Sequence, residues 1–295
     1  MSVAGNKPLV SIGMPVYNGE RFIRRALDSL LAQDYKNFEV IISDNASIDK
    51  TQEICLEYAA RDARIRYFRN EKNMGAAWNF QRVFELSSGK YFMWAAADDW
   101  REPTFISKCI EILEHDPTVV LAYPLAVLID EDGQEYGLMA GRLDTRDWDS
   151  PVIRGIFVML GIQGNVSNAI YGLIRADAIR RCKPIRATLG GDIITLFELS
   201  LIGKFAHISE PLFYRLRIRK GETVDKRHRR WLDAIDPKNK GKRVYFPYWK
   251  MAWGYIDAVL HASLCVRHKL FLLGAVIMIV PWKMRRDLLK VVVMP

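Results

Sequence analysis

Two adjacent carboxylates, Asp98 and Asp99, follow the uncharged run Tyr91-Phe92-Met93-Trp94-Ala95-Ala96-Ala97 and precede Trp100. Such a run reads as a buried strand, so the pair falls at its carboxyl end. In an open α/β sheet, ligands bind in the crevice outside those ends. Neighbouring carboxylates repel and sit most easily around a cation. Hard oxygen ligands suit Mg2+ or Mn2+, and such a metal in turn holds phosphate. The same two residues could equally make a turn and cap the helix that starts near Pro103, since Asp is common in both places. A second group is basic. Arg215, Arg217 and Arg219 alternate on a short strand and share one face, and Asp225-Lys226-Arg227-His228-Arg229-Arg230-Trp231 follows. The Arg guanidinium matches phosphate geometry. Arg215, Arg217, Arg227 and Arg230 are therefore candidates for a diphosphate or an acceptor, against the alternative of a solvated basic loop.

These groups need a scaffold, and the spacing of apolar residues supplies one. Leu9–Pro15 reads as a first strand, followed by helical spacing of Phe22, Ile23, Ala26, Leu27, Leu30 and Leu31 over 19–33. Phe38–Ile42 is a second strand, ending in the polar loop Ser43–Asp49, with Asp49 placed to cap a helix through Tyr58. Ile65–Phe68 is a third strand, Asn73-Met74-Gly75 a turn, Ala76–Leu86 a helix, and the Tyr91 run a fourth strand. Strands alternating with helices imply a doubly wound, mostly parallel, Rossmann-like α/β sheet. Further on, 103–115, 151–161 and 192–202 read as helices. Val119–Tyr123, Lys204–His207 and Pro211–Leu216 read as strands, with Leu125–Ile129 pairing antiparallel and Asp132-Gly133 marking a hairpin.

The 295 residues allow one large domain, or one domain with an appendage. Cys55, Cys109, Cys182 and Cys265 lie far apart, which argues against a zinc site or a disulfide framework and fits a reducing compartment. Met1–Lys7 lacks the apolar core of a signal peptide. Charge is divided unevenly. Residues 1–214 carry 24 Lys+Arg against 28 Asp+Glu, whereas 215–295 carry 19 against 6, a net of +13. A basic tail on an acidic body implies an anionic partner. Leu270–Trp282 holds no charge but is short of the ~18–20 residues that span a bilayer. Tyr245, Phe246, Tyr248, Trp249, Trp253 and Tyr255 precede it, and Lys283, Arg285, Arg286 and Lys290 follow. That pattern reads as an interfacial helix on an anionic membrane surface. The alternatives are a helix packed on the body or a homodimer interface. Nucleic acid is not expected, because no binding motif accompanies the charge.

The order of motifs resembles the family 2 glycosyltransferases. The matching words are Val10-Ser11-Ile12-Gly13-Met14-Pro15-Val16-Tyr17-Asn18-Gly19, Ser43-Asp44-Asn45-Ala46-Ser47-Ile48-Asp49, Asn73-Met74-Gly75, Gly89-Lys90-Tyr91-Phe92, Asp98-Asp99-Trp100 and Glu210-Pro211-Leu212-Phe213-Tyr214, over roughly residues 8–218. The resemblance implies the A-type nucleotide-sugar-binding fold. It also implies transfer of a sugar, with inversion, from a nucleotide-diphosphate sugar to an acceptor hydroxyl. By the same resemblance Pro15, Val16 and Tyr17 lie against the base, Asp44 accepts a hydrogen bond from it, and Asn73 and Gly75 belong to the nucleotide site. Asp44 could instead cap its own loop. Asp98 and Asp99 match the carboxylates that touch ribose and bind metal. Many members have a further acid where this chain has Ala96; ribose contact is then either absent or passes to Asp98, and of the two expected metal ligands, Asp98 and Asp99, Asp99 is the surer.

The resemblance also singles out a base, Asp192 in Leu189-Gly190-Gly191-Asp192, eleven residues before Gly203-Lys204. Its alternative role is the cap of helix 193–202, and Glu198, in mid-helix, is the poorer candidate. Processive members carry Gln-x-x-Arg-Trp; Arg227 stands here in the Gln place before Arg230-Trp231. The expected organisation is a catalytic domain over 1–222 and a basic helical extension over 223–295. The expected setting is the inner face of the cell membrane, close to a lipid-linked acceptor sugar in polysaccharide or glycolipid assembly. Two other readings remain at this stage. One is a non-catalytic nucleotide-sugar-binding or scaffold protein, consistent with Ala96. The other is a nucleotidyltransferase, for which Tyr17-Asn18-Gly19-Glu20-Arg21 is a poor glycine-rich loop.

Overall fold

The fold is given by a computed structural model that describes residues 9–139, 143–161, 166–188, 190–218 and 247–284. Arg227, Arg230, Leu189, Tyr245, Phe246 and the basic residues from Arg285 onward lie outside this set, as does the side chain of Arg217.

The first half alternates as its periodicity requires: β1 (Val10–Val16), α1 (Ile23–Leu31), β2 (Phe38–Asp44), α2 (Thr51–Arg61), β3 (Ile65–Arg69), α3 (Ala76–Glu85) and β4 (Tyr91–Trp94). The strands β1 to β4 pair in parallel, in the order β3-β2-β1-β4. β1, β2 and β4 are largely buried, as strands covered on both faces demand, whereas the edge strand β3 buries Ile65 and exposes Arg66 and Arg69. The remaining elements are β5 (Trp100–Arg101), α4 (Phe105–His115), β6 (Val119–Asp130), β7 (Glu135–Leu138), α5 (Pro151–Gly161), a 3₁₀ turn (Val166–Tyr171), β8 (Leu173–Arg175), α6 (Ala176–Arg180), α7 (Gly191–Ile202), β9 (Lys204–Ile218), α8 (Pro247–His261) and α9 (Val266–Met284). They extend the sheet to β3-β2-β1-β4-β8-β6-β9-β5, with β7 on β6.

Three local expectations change. The fourth strand stops at Trp94, so Ala95–Asp99 is loop. Residues 119–130 form one long strand rather than two, antiparallel to β7 but parallel to β9. Residues 204–218 are likewise continuous, with register shifts near Pro124 and Pro211. A proline cannot donate to a ladder, so it is carried at a bulge and bends the strand without ending it.

Two apolar cores flank the sheet. One lies under α1, α2 and α4 and includes Ile23, Leu27, Cys55, Phe105 and Leu113. The other gathers Phe92, Trp94 and Tyr123 with Phe197 of α7, Tyr255 and Val259 of α8, and Leu272 and Val276 of α9. One face of each C-terminal helix therefore belongs to the second core, and Tyr255 is fully buried.

Candidate active site

The carboxyl ends of β1 and β2 hold two loops that are laced together. Asn18 N–H donates to Ser47 Oγ (2.9 Å), Gly19 N–H to Thr51 Oγ1 (2.7 Å) and Glu20 N–H to Asp49 Oδ2 (3.1 Å). Asp49 Oδ1 also accepts from Thr51 N–H (3.0 Å), so this Asp closes the first turn of α2 and anchors the neighbouring loop. The result is a cleft of about 370 Å³ with Pro15, Val16 and Tyr17 on one wall and Ala96, Ala97 and Asp98 on the other. Tyr17 is 48% exposed, a ring available for stacking. Arg21 and Glu131, paired at 2.7 Å, stand at the rim.

Asp44, at the end of β2, is fully buried. Its Oδ1 accepts from Ser47 N–H (2.8 Å), and its Oδ2 accepts from Tyr67 (2.7 Å) and Arg69 (2.7 Å). The loop-capping use of Asp44 is therefore present, together with an ion pair to β3. Neither Tyr67 nor Arg69 stood out in the sequence. Asn73 receives Asn45 Nδ2 (2.8 Å) and caps Gly75 N–H (2.9 Å), while Met74 N–H donates to Asn45 Oδ1 (2.9 Å). Gly75 has φ 90°, ψ 159°, a region that only glycine enters freely, and this turn launches α3.

Beyond the cleft lies a charged centre. Asp98 is half-buried and faces the cleft, whereas Asp99 is 3% exposed and accepts the Leu216 N–H at 2.9 Å. Burial, and then the neighbouring Asp98, hold the Asp99 carboxyl well above the usual range, and Arg215 works in the opposite direction. Arg215, on β9, interacts electrostatically with Tyr171, Asp99, Asp192 and Asp98 at once. Its guanidinium lies 5.3 Å from the centre of the Tyr171 ring. Burial opposes its charge, but Tyr171 and the three carboxyl groups together outweigh it and raise its pKa. Arg101 is also buried, donates to the Trp94 carbonyl at 3.0 Å and is pulled down to about 10 by desolvation against the attraction of Asp99. Arg101 and Tyr171 were not legible as site residues. An Arg two places after an acidic pair was the only signal for Arg101.

Asp192 is the second residue of α7 and half-buried; the N-cap position is held by Gly190, so Asp192 lies two places inside the start of the helix. The helix starts one residue earlier, after Gly190 in the left-handed region (φ 70°). A Cβ on Gly191 would lie 2.2 Å from the Arg186 carbonyl oxygen, so this glycine serves the turn's own packing. Burial raises the Asp192 pKa, opposed by the backbone N–H groups of the helix start and by Arg215. The structure thus brings Asp98, Asp99, Asp192 and Arg215 together. Glu198 does not join them, being buried against Arg186 at 2.9 Å. Arg217 lies on β9.

Among the described residues no group of three or more His, Cys, Asp or Glu could enclose a metal. Mg2+ and Mn2+ do not require one. They often take one or two protein carboxylates and complete their shell with phosphate oxygens and water. Asp98 opening on the cleft, with Asp99 behind it, fits that mode.

The family model described as glycosyl transferase family 2 matches residues 11–154. The chain is 31% identical over 217 residues to an uncharacterized glycosyltransferase of Haemophilus influenzae, covering 72% of this chain and 66% of that protein. It spans 38% and 45% of the lengths of two other relatives that it matches. The fold is similar to that of S. aureus TarS (residues 1–349) in complex with UDP-GlcNAc, with TM-score 0.62, 14% identity, and coverage of 94% of this chain and 74% of that one. It is also similar to the mannosyltransferase PcManGT of Pyrobaculum calidifontis in complex with GDP-Man and Mn2+, with TM-score 0.55, 16% identity, and coverage of 96% and 76%. From the ordered motifs, the doubly wound sheet and these likenesses together, the chain belongs to glycosyltransferase family 2 and has the A-type fold.

Proposed function

We propose that this protein transfers a sugar from a nucleotide-diphosphate sugar to an acceptor hydroxyl with inversion at the anomeric carbon. The observation that carries the reading is the single charged centre in which Arg215 faces Asp98, Asp99 and Asp192, beside a cleft walled by Pro15–Tyr17. The nucleotide lies in that cleft, with the base against Val16 and Tyr17 and its ribose toward Asp98. The internal bonds of Asp44 hold this wall in shape. Asp98 and Asp99 would hold Mg2+ or Mn2+, whose Lewis acidity, when bound, stabilises the diphosphate leaving group. Arg215 adds a fixed positive charge on the same side. Asp192 accepts the acceptor's proton as the new bond forms, on the face opposite the leaving group. Its raised pKa suits a base better than an ordinary carboxylate would. The acceptor is a sugar, lipid-linked in our reading, used in cell-surface polysaccharide or glycolipid assembly at the inner face of the membrane. Among the described residues no helix is long and apolar enough to cross a bilayer, so the attachment proposed is peripheral.

The test is a panel of nucleotide sugars with Mn2+, read as release of nucleotide diphosphate and as anomeric configuration of the product by NMR. Metal-dependent release from one donor, with an inverted product, is expected, and Asp99→Asn should weaken metal-dependent donor binding. Donor binding without turnover would make the chain a binding protein. Full activity in excess chelator would remove the metal from the reading.

A further inference from the structure

The C-terminal helices are apolar on the wrong side for a water-exposed surface. The buried face of α8 presents Met251, Tyr255, Ala258 and Val259 to the second core. Its opposite face carries Trp249 and Trp253, each 67% exposed, and Leu260, spaced so that they fall on one stripe. On α9 the buried positions are Leu272, Val276 and Val280, while Leu270, Phe271, Ile277 and Met278 are 62–75% exposed. A helix that is apolar all round is expected to be covered on every side. Here half of it is not covered by the described residues.

Charge decides what covers it. No Lys, Arg, Asp or Glu occurs from Leu270 to Trp282, and the ends of that run are basic, with Arg267 and Lys269 before it and Lys283, Arg285 and Arg286 after it. Asp257 is the one acid between 247 and 284, and it is turned inward onto Lys183 (2.7 Å) and Arg186 (2.9 Å). An apolar stripe with indole rings, bounded by cations and free of outward acids, complements an anionic lipid surface in both its layers. A second copy of the same face would bring these cations against each other.

We propose that the outer faces of α8 and α9 form one docking surface that inserts into the interfacial layer of an anionic membrane, with Trp249, Trp253, Phe271 and Met278 as anchors. The position of α8 gives this surface a catalytic consequence. Its inner face packs on the turn that precedes the candidate base: a Cβ on Gly190 would lie 3.0 Å from Met251 Sδ, and one on Gly254 would lie 2.5 Å from Ile194 Cδ1. One helix, about 10 Å across, therefore separates the docked face from the start of α7. The docked membrane therefore lies on the side of the molecule that carries α7, the side from which a lipid-linked acceptor would be supplied; this second part rests on the reading of Asp192 as the base.

The test uses the full chain with vesicles of phosphatidylcholine alone or mixed with phosphatidylglycerol, and the exposed double variant Phe271→Asp/Met278→Asp. The intact protein should co-sediment with the anionic vesicles, and part of it should remain bound at high salt, because apolar burial is not screened. The variant should lose that salt-resistant part, weakening partitioning by roughly tenfold or more. Its donor hydrolysis in solution should be unchanged. Lipids brominated on the acyl chain should quench tryptophan emission, and Trp249→Phe/Trp253→Phe should remove most of the quenching. Equal vesicle binding by variant and parent would overturn the proposal. So would a parent dimer that the variant converts to monomer, which would assign the face to a second copy. Vesicle binding is read without donor or acceptor, so a failure of the transferase reading appears separately, as absent donor hydrolysis in both proteins.

Discussion

In the proposed reaction the chemistry turns on two side chains, Asp192 and Arg215. Asp192→Asn keeps size and polarity but cannot take a proton, so transfer should fall by roughly 10²–10⁴-fold while donor affinity changes little. The pH profile tests the same assignment. Burial raises the Asp192 pKa, so its proton is lost only at a pH above the ordinary carboxylate range. The rate should therefore climb with pH along an acid limb centred above that range, and the limb should vanish from the residual activity of Asp192→Asn. Arg215 helps to hold Asp192 anionic. Arg215→Met removes that help, so the limb should move to higher pH, whereas Arg215→Lys should move it less. A profile for Arg215→Met that coincides with the parent's would show that the arginine does not govern the base.

Strand ends and turns place these groups, and glycine is the weak point of that arrangement. The turn Asn73-Met74-Gly75 starts α3 and is fixed by Asn45, itself buried at the end of β2. Gly75→Ala forces a Cβ into φ 90°, ψ 159° and should cost about 1–3 kcal/mol. Chemical denaturation would measure that loss. Nucleotide affinity, measured by calorimetry, should fall with it, because the same turn packs beside the β2 loop that walls the cleft. A stability loss with unchanged nucleotide affinity would separate the turn from the site.

At the scale of the whole molecule, α8 and α9 are part of the second core and not a loose tail. Leu272, on the inner face of α9, is fully buried between that helix and the body. Leu272→Ala should cost about 2–5 kcal/mol, read from denaturant unfolding followed by far-UV circular dichroism. Because the helices share a core with α5 and α7, the transition should remain single. A separate early transition, with the body unaffected, would make the helices an independent unit. Truncation ahead of α9 would thus expose the core as well as remove the proposed membrane contact, which is why surface substitutions are the better probe of docking.

Much of the site could be read directly from the chain because its parts are local. The apolar run before Asp98-Asp99, the polar loops after β1 and β2, and the alternating strand and helix periods are patterns of a few residues, set by backbone geometry and by the need to bury one face. The order of those patterns was enough to indicate the fold family. Pairwise geometry was not legible, because it depends on residues far apart in the chain. Leu216 donates to Asp99 across 117 positions, and Arg69 reaches Asp44 across 25. Arg215 looked like one member of a basic face, and only β9 running beside β6 and β5 carries it into the acidic centre. Asp192 was indicated by its place before Gly203-Lys204, but its half-buried position in the first turn of α7 is known only from the tertiary structure. The tail divides in the same way. Its composition announced an apolar, cationic surface, and only helix packing decided that Tyr255 turns in while Trp249 and Trp253 turn out, since periodicity gives relative faces but not which one meets the core.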